Sequence, residues 1–226
     1  MKKQTGLRDS VLFLLEQNYT LLKKDIGSDA VLSKKGMKFE TESWDIEGIG
    51  HLCFMKMKAF FGLMRMETAI IAPTRIDMPL FNLDWVGAFG YETQIAELYD
   101  TQLQPWPDEC LNVFECLLQR DADLPDASSD EERWYDSILY PCSYHKKGKG
   151  LTERFSNAAH DYLVAYVDQL PSAPACDEHE KAAKVQAFAE RLFDEGGPAV
   201  DQVTKLFGQT TARRLVVQHM YGVDER

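Results

Sequence analysis

The sequence predicts an α/β fold of the α+β type, with one antiparallel sheet covered by helices on one or both faces. Three observations carry this. Between residues 37 and 101, short segments alternate apolar and polar side chains with a period of two. The links between them are too short for parallel crossovers, which take about a dozen residues or more. Helical periodicity lies on both sides of that block, so helices are available to cover a sheet.

In chain order, residues 9–24 ("DSVLFLLEQNYTLLKK") read as a helix with Asp9 or Ser10 as its cap. Leu12, Leu15, Tyr19 and Leu22 share one face, and terminal lysines suit the helix dipole. "IGSDA" breaks that pattern. Strands are expected at "MKFETESW", "CFMKMKAF", "LMRMETAIIA" and "PLFNLDWV", with "ETQIAELYD" a weaker fifth. Residues 108–120 read as a helix with Leu111, Phe114, Leu117 and Leu118 on one side, and 121–132 as an acidic loop. "YDSILYPCSY" (135–144) is a further candidate strand, ended by the turn "HKKGKG". Helices follow at 151–170, near 178–193 and over 199–219, the last two separated by "DEGGP" with Pro198 at a helix start.

The 226 residues show no internal repeat and no domain boundary, and are read as a single domain, 1–226. A net charge of −11 argues against a general nucleic-acid binder and against adsorption to anionic membranes, while leaving room for a local basic patch. Five cysteines without CxxC spacing read as reduced thiols, with no zinc site. The run "VLFLL" is far too short for a signal core or a membrane span, so a cytoplasmic protein is expected. No Rossmann, P-loop, HExxH or GxSxG motif is present, and the five histidines form no helical metal pair. "DEHE" reads as a solvated helix start. "HKKGKG" reads as an exposed turn or as a basic mouth for carboxylates.

The sharpest residue is Asp84, a lone carboxylate in the apolar run "APTRIDMPLFNLDWVGAFG". Alternation points it to the same face as Leu80, Asn82 and Val86. A carboxyl on an apolar face has a raised pKa and can deliver a proton near neutral pH. The other reading is structural: Asp84 caps a turn or pairs with an arginine. The residues alone leave both open.

Through "MPLFNLDWV", "YDSILYPCSYHKKGKGLTERF" and "AVDQVTKLFGQTTARRLVVQHMYG" the chain resembles the ferredoxin-dependent bilin reductases, a family related in layout to red chlorophyll catabolite reductase. The family pattern "LPIFGxDLV" is matched by "MPLFNLDWV", with Pro73 before it and Gly90 and "TQIAELYD" after it. Pro79, Phe81, Asp84 and Val86 fall in register. "AVDQVTKLFGQTTARRLVVQHMYG" resembles the family's last helix through Lys205, Phe207, Gly208 and Ala212, and "YDSILYPCSYHKKGKGLTERF" resembles an earlier strand and helix. Order and spacing, not any single motif, carry the resemblance.

The resemblance implies a three-layer α/β/α sandwich with a central antiparallel sheet. It implies a biliverdin-like linear tetrapyrrole held between the sheet and the C-terminal helices. It further implies a radical mechanism with no bound metal or organic cofactor, electrons coming singly from reduced ferredoxin; because plant-type ferredoxins are acidic like this chain, a flavodoxin or another donor is the alternative. Asp84 matches the family's proton-donating aspartate. Substrate contacts are implied for Thr68, Glu67 and Phe81, and for the basic group His145, Lys146 and Lys147 near a propionate. Other family donors are replaced: a His falls at Thr68, a His and a Glu at Phe54 and Lys56, and an acidic residue at Gly197, with Asp194 and Glu195 just upstream. A monomer is expected. The rival readings are a non-catalytic tetrapyrrole carrier of the same fold, and an interaction protein without pigment.

Overall fold

The computed structural model describes residues 6–127 and 133–223. Its centre is an eight-stranded, fully antiparallel sheet: β1 (Leu21–Lys24), β2 (Val31–Lys34), β3 (Met37–Ile46), β4 (Gly50–Ala59), β5 (Met64–Pro73), β6 (Leu80–Ala88), β7 (Tyr91–Tyr99) and β8 (Tyr144–Gly148). The order is β1-β3-β4-β5-β6-β7-β8, and β2 also pairs with β3. The helices are α1 (Leu7–Leu15), α2 (Asp108–Arg120), α3 (Thr152–Val167), α4 (Glu178–Glu195), α5 (Pro198–Phe207) and α6 (Gln209–Arg213), the last continuing as a π-helical segment, Arg214–Met220.

Alternation along the strands builds two cores, one on each face, as a sandwich requires. Phe54, Ala69, Ile71, Phe81, Leu83 and Leu98 pack with α1, α2 and α3. Met55, Met57, Ile70, Leu80 and Tyr99 pack with α4, α5 and the C-terminal segment. The expected three-layer arrangement is thus the observed one.

Several sequence-level expectations are corrected. The helix expected over 9–24 stops at Leu15. Gly6 starts it without any side-chain cap from Asp9 or Ser10. The Asn18 and Tyr19 amides both turn back to the Leu15 carbonyl, and Leu21–Lys24 joins the sheet beside β3. The lysines meant for a helix end, Lys23 and Lys24, therefore sit on an edge strand, where charge discourages further pairing. The strand expected over 135–144 is instead a 3₁₀ turn, Trp134–Ile138, and its link to the sheet is a bridge from Leu139 to Tyr99. The strand lies in the "HKKGKG" stretch read as a turn, where β8 pairs with β7. The last helix, expected over 199–219, breaks at Gly208, whose φ of 84° favours glycine. Of the acidic loop 121–132, residues 128–132 lie outside the described residues.

Two buried devices lock the covering helices. The Lys181 ammonium of α4 donates to the Met78 carbonyl (2.8 Å), the Thr101 carbonyl (2.6 Å) and the Thr101 hydroxyl (3.2 Å). Burial lowers its pKa to about 8. Buried Asp29 takes a two-pronged contact from Arg214 (2.8 and 3.0 Å) and a third from His219 (3.1 Å). At Gly222 the chain passes so close to His51 that an added Cβ would lie 2.4 Å from its ring. Among the described residues no helix is long and apolar enough to cross a membrane.

Candidate functional site

The site is built on four neighbouring strands, β5 to β8, on the face beneath α4–α6. β6 sends Asn82 and Asp84 to that face. The ladder sets Thr68 of β5 directly opposite Asp84, Glu97 of β7 opposite Asn82, and Ile95 opposite both Asp84 and His145 of β8. The entry to β6 is fixed from the other side, where the Tyr166 hydroxyl of α3 donates to the Pro79 carbonyl at 2.7 Å. Gln94 holds the strand pair by donating to the Asp84 carbonyl at 2.8 Å.

These side chains form one hydrogen-bonded chain. The Asn82 amide donates to Asp84 Oδ2 (2.8 Å) and to Glu97 Oε2 (2.9 Å). Glu97 Oε2 also accepts from the Tyr99 hydroxyl (2.7 Å), and Glu97 Oε1 from His145 Nε2 (2.9 Å). Among the described residues no arginine pairs with Asp84, and Asp84 Oδ1 is buried without a hydrogen-bond partner, as is Asn82 Oδ1.

The two carboxyls are pushed apart. Burial raises the Asp84 pKa to about 6, helped by the Glu97 charge and opposed by Thr68, Asn82 and His145. Burial also pushes Glu97 up, but the hydrogen bonds from His145, Tyr99 and Asn82 outweigh it and leave its pKa below the ordinary range. One acid therefore keeps its proton up to about pH 6 while the other is already an anion, the environment-set division of roles that acid–base chemistry uses. Tyr221 and Tyr99 are raised well above the ordinary phenol by burial and by the surrounding carboxylate charge. Among the described residues no group of three or more His, Cys, Asp or Glu is placed to hold a metal ion.

The residues singled out from the sequence divide between the two faces. Asp84, Thr68 and His145 come together, and Lys147 lies further along the same face of β8. Glu67, Phe81 and Lys146 face the opposite way. Phe81 stacks on Tyr166 with centroids 4.7 Å apart, and Lys146 is buried against the Leu124 carbonyl (3.1 Å) and Asp126 (2.7 Å). Glu67 borders a cavity of about 440 Å³ between α1, α3 and the sheet, and a second of about 440 Å³ lies at the β8 edge. Neither cavity borders Asp84. Sequence reasoning missed Glu97, Tyr99 and Tyr221. The signal for Glu97 was present: in "ETQIAELYD" it alternates with Ala96 and Leu98.

No family model and no curated protein matches the sequence. The fold matches phytochromobilin synthase from tomato, solved in complex with biliverdin, with a TM-score of 0.73. The match covers 96% of this chain and 83% of that one at 13% identity. The antiparallel sheet between two helical layers is therefore the fold of the bilin reductases, as the resemblance implied.

Proposed function

We propose that the chain is a bilin reductase-like oxidoreductase acting on biliverdin or a related linear tetrapyrrole. Reducing one double bond takes two electrons and two protons. Reduced ferredoxin or a flavodoxin supplies the electrons one at a time, and Asp84 supplies a proton to the pigment once the first electron has made it more basic. Thr68 and Asn82 then stabilise the Asp84 carboxylate. The second proton comes from solvent by way of His145, which is partly exposed at the sheet edge. Burial, helped by the Glu97 anion, raises the Asp84 pKa and so enlarges the protonated fraction available for the transfer. The pigment lies between Asp84 and the C-terminal segment.

The observation that carries this reading is Asp84 itself: an acid with no arginine or lysine partner among the described residues, a buried Oδ1 without a hydrogen bond and a pKa of about 6. The biliverdin held by a protein of the same fold supports the choice of pigment. The test is to mix the protein with biliverdin, record the visible spectrum, and repeat under a ferredoxin-reducing system. Bleaching or a blue shift on reduction is expected, and Asp84→Asn should bind pigment but stall. An unchanged spectrum on mixing overturns the reading. A shifted spectrum that survives reduction leaves a tetrapyrrole carrier instead.

A further inference from the structure

One end of the sheet gathers the tips of three hairpins: Lys34 to Met37 between β2 and β3, Phe60 to Leu63 between β4 and β5, and Phe89–Gly90 between β6 and β7. Phe60, Phe61, Leu63, Phe89 and Tyr91 are all exposed there, Phe61 completely. Soluble surfaces rarely cluster large apolar side chains in this way without use. The Phe60 and Phe89 rings lie 6.1 Å apart, so two separate hairpins share one apolar knuckle.

The backbone is strained at the same place. Lys35, Phe60, Phe61 and Phe89 have φ of 51°, 51°, 55° and 50°, and no other non-glycine residue described has a positive φ. Bulky residues are costly in that region, where glycine or asparagine would be cheap, and strain of this kind gathers at functional surfaces. Folding gains nothing from Phe61, whose side chain is fully in solvent.

The charge at this end opposes that of the molecule. Lys38, Lys58 and Arg65 sit directly opposite one another on β3, β4 and β5, a row of like charges that destabilises a sheet. Lys38 has Glu40 as a partner at 2.7 Å, whereas Lys58 and Arg65 have no ion pair among the described residues. Lys34, Lys35, Lys147 and Lys149 lie at the same end of the sheet, Lys34 and Lys147 on its other face, and the Lys149 ammonium lies 4.4 Å over the Tyr91 ring. Glu40, Glu67 and Glu92 are acids close by, Glu67 lying 3.5 Å from Lys56. A net charge of −11 describes the whole chain, not this end of it.

We propose that the hairpin-tip end of the sheet seats the protein on an anionic lipid surface, with Phe60, Phe61 and Phe89 entering the interface and the lysine–arginine row lying among the headgroups. The knuckle protrudes, so it has the shape to enter a soft interface, whereas a protein partner would need a matching hollow. Apolar insertion and attraction of basic side chains to anionic lipid act together in such docking.

The test is co-sedimentation of the full chain with phosphatidylcholine vesicles, with and without phosphatidylserine. Binding is expected with phosphatidylserine only, weakening as salt is raised. Phe61→Gly with Phe89→Gly should lower the affinity about tenfold or more while leaving the fold intact, since glycine accepts the local backbone. Lys58→Glu with Arg65→Glu should abolish binding. Failure to bind phosphatidylserine vesicles, or equal binding by the double glycine variant, overturns the proposal. So does self-association of the wild-type chain that the glycine substitutions abolish, since the knuckle would then be an interface between two copies.

Discussion

At Asp84 the interior raises the carboxyl from an ordinary 3.8 to about 6, so the native state holds this proton more tightly than the unfolded chain does. The stability that goes with it is fully present below about pH 4 and is lost as the pH rises through about 6. Above that, the buried anion costs on the order of 3 kcal/mol. Asp84→Asn should therefore match the wild type near pH 4 and exceed it by up to that amount at pH 8. Urea midpoints at the two pH values measure this, and equal midpoints at pH 8 would mean that the anion is not held out of water. At Phe61 the strain is in the backbone. Phe61→Gly should stabilise the protein by about 0.5–1 kcal/mol, because the left-handed conformation then carries no side-chain penalty. A melting temperature that falls would contradict this.

At the level of elements, the C-terminal π-helical segment depends on a remote contact, the Asp29 carboxylate held by Arg214 and His219. Burial tends to raise the Asp29 pKa, but the hydrogen bond from Arg214, the largest influence, leaves it lowered. Its contribution is therefore present above the ordinary carboxylate range and lost as the pH falls below it. Asp29→Asn should cost about 2 kcal/mol, less than a fully buried pair because Arg214 is partly exposed. Amide exchange should speed up first over 209–220, and uniform acceleration would show the contact to be global instead. The same scale shows what could be read from the sequence. Strands β3 to β7 were legible because their sequences carry runs of alternating side chains, although only β3 alternates in burial and β4 is buried almost throughout. The short edge strands were not. β1 exposes three of its four residues and joins the sheet through its backbone, and its leucines happen to continue the spacing of α1. In β8 the basic run "HKKGKG" resembles a turn, yet Lys146 is drawn inward by Asp126 and the Leu124 carbonyl, contacts far apart in sequence. Asp84 stood out as an isolated charge in an apolar run, whereas the role of Glu97 was hidden because its partners Asn82 and His145 reach it only across the ladder.

Across the whole molecule, the sheet separates two cores with different work. The face under α1–α3 is a conventional apolar core in which Phe81, Tyr166, Phe155 and Tyr162 are fully buried. The other face carries the polar chain from Asp84 to His145 within its apolar packing. Neighbouring residues of β6 thus serve opposite layers, and this is why sequence adjacency to Asp84 does not by itself put a residue in the site. Phe81 is the direct case. Phe81→Leu keeps most of its volume but removes the stack on Tyr166, and should cost about 1–2 kcal/mol. If the sheet insulates the two faces, the absorption spectrum of added biliverdin should match that of the wild type, while Asp84→Asn changes it. Recording both spectra on protein that is fully folded at low temperature separates lost stability from lost binding. A shifted pigment spectrum in Phe81→Leu would instead place the tetrapyrrole in contact with the α3 side of the sheet and break the division of labour between the faces.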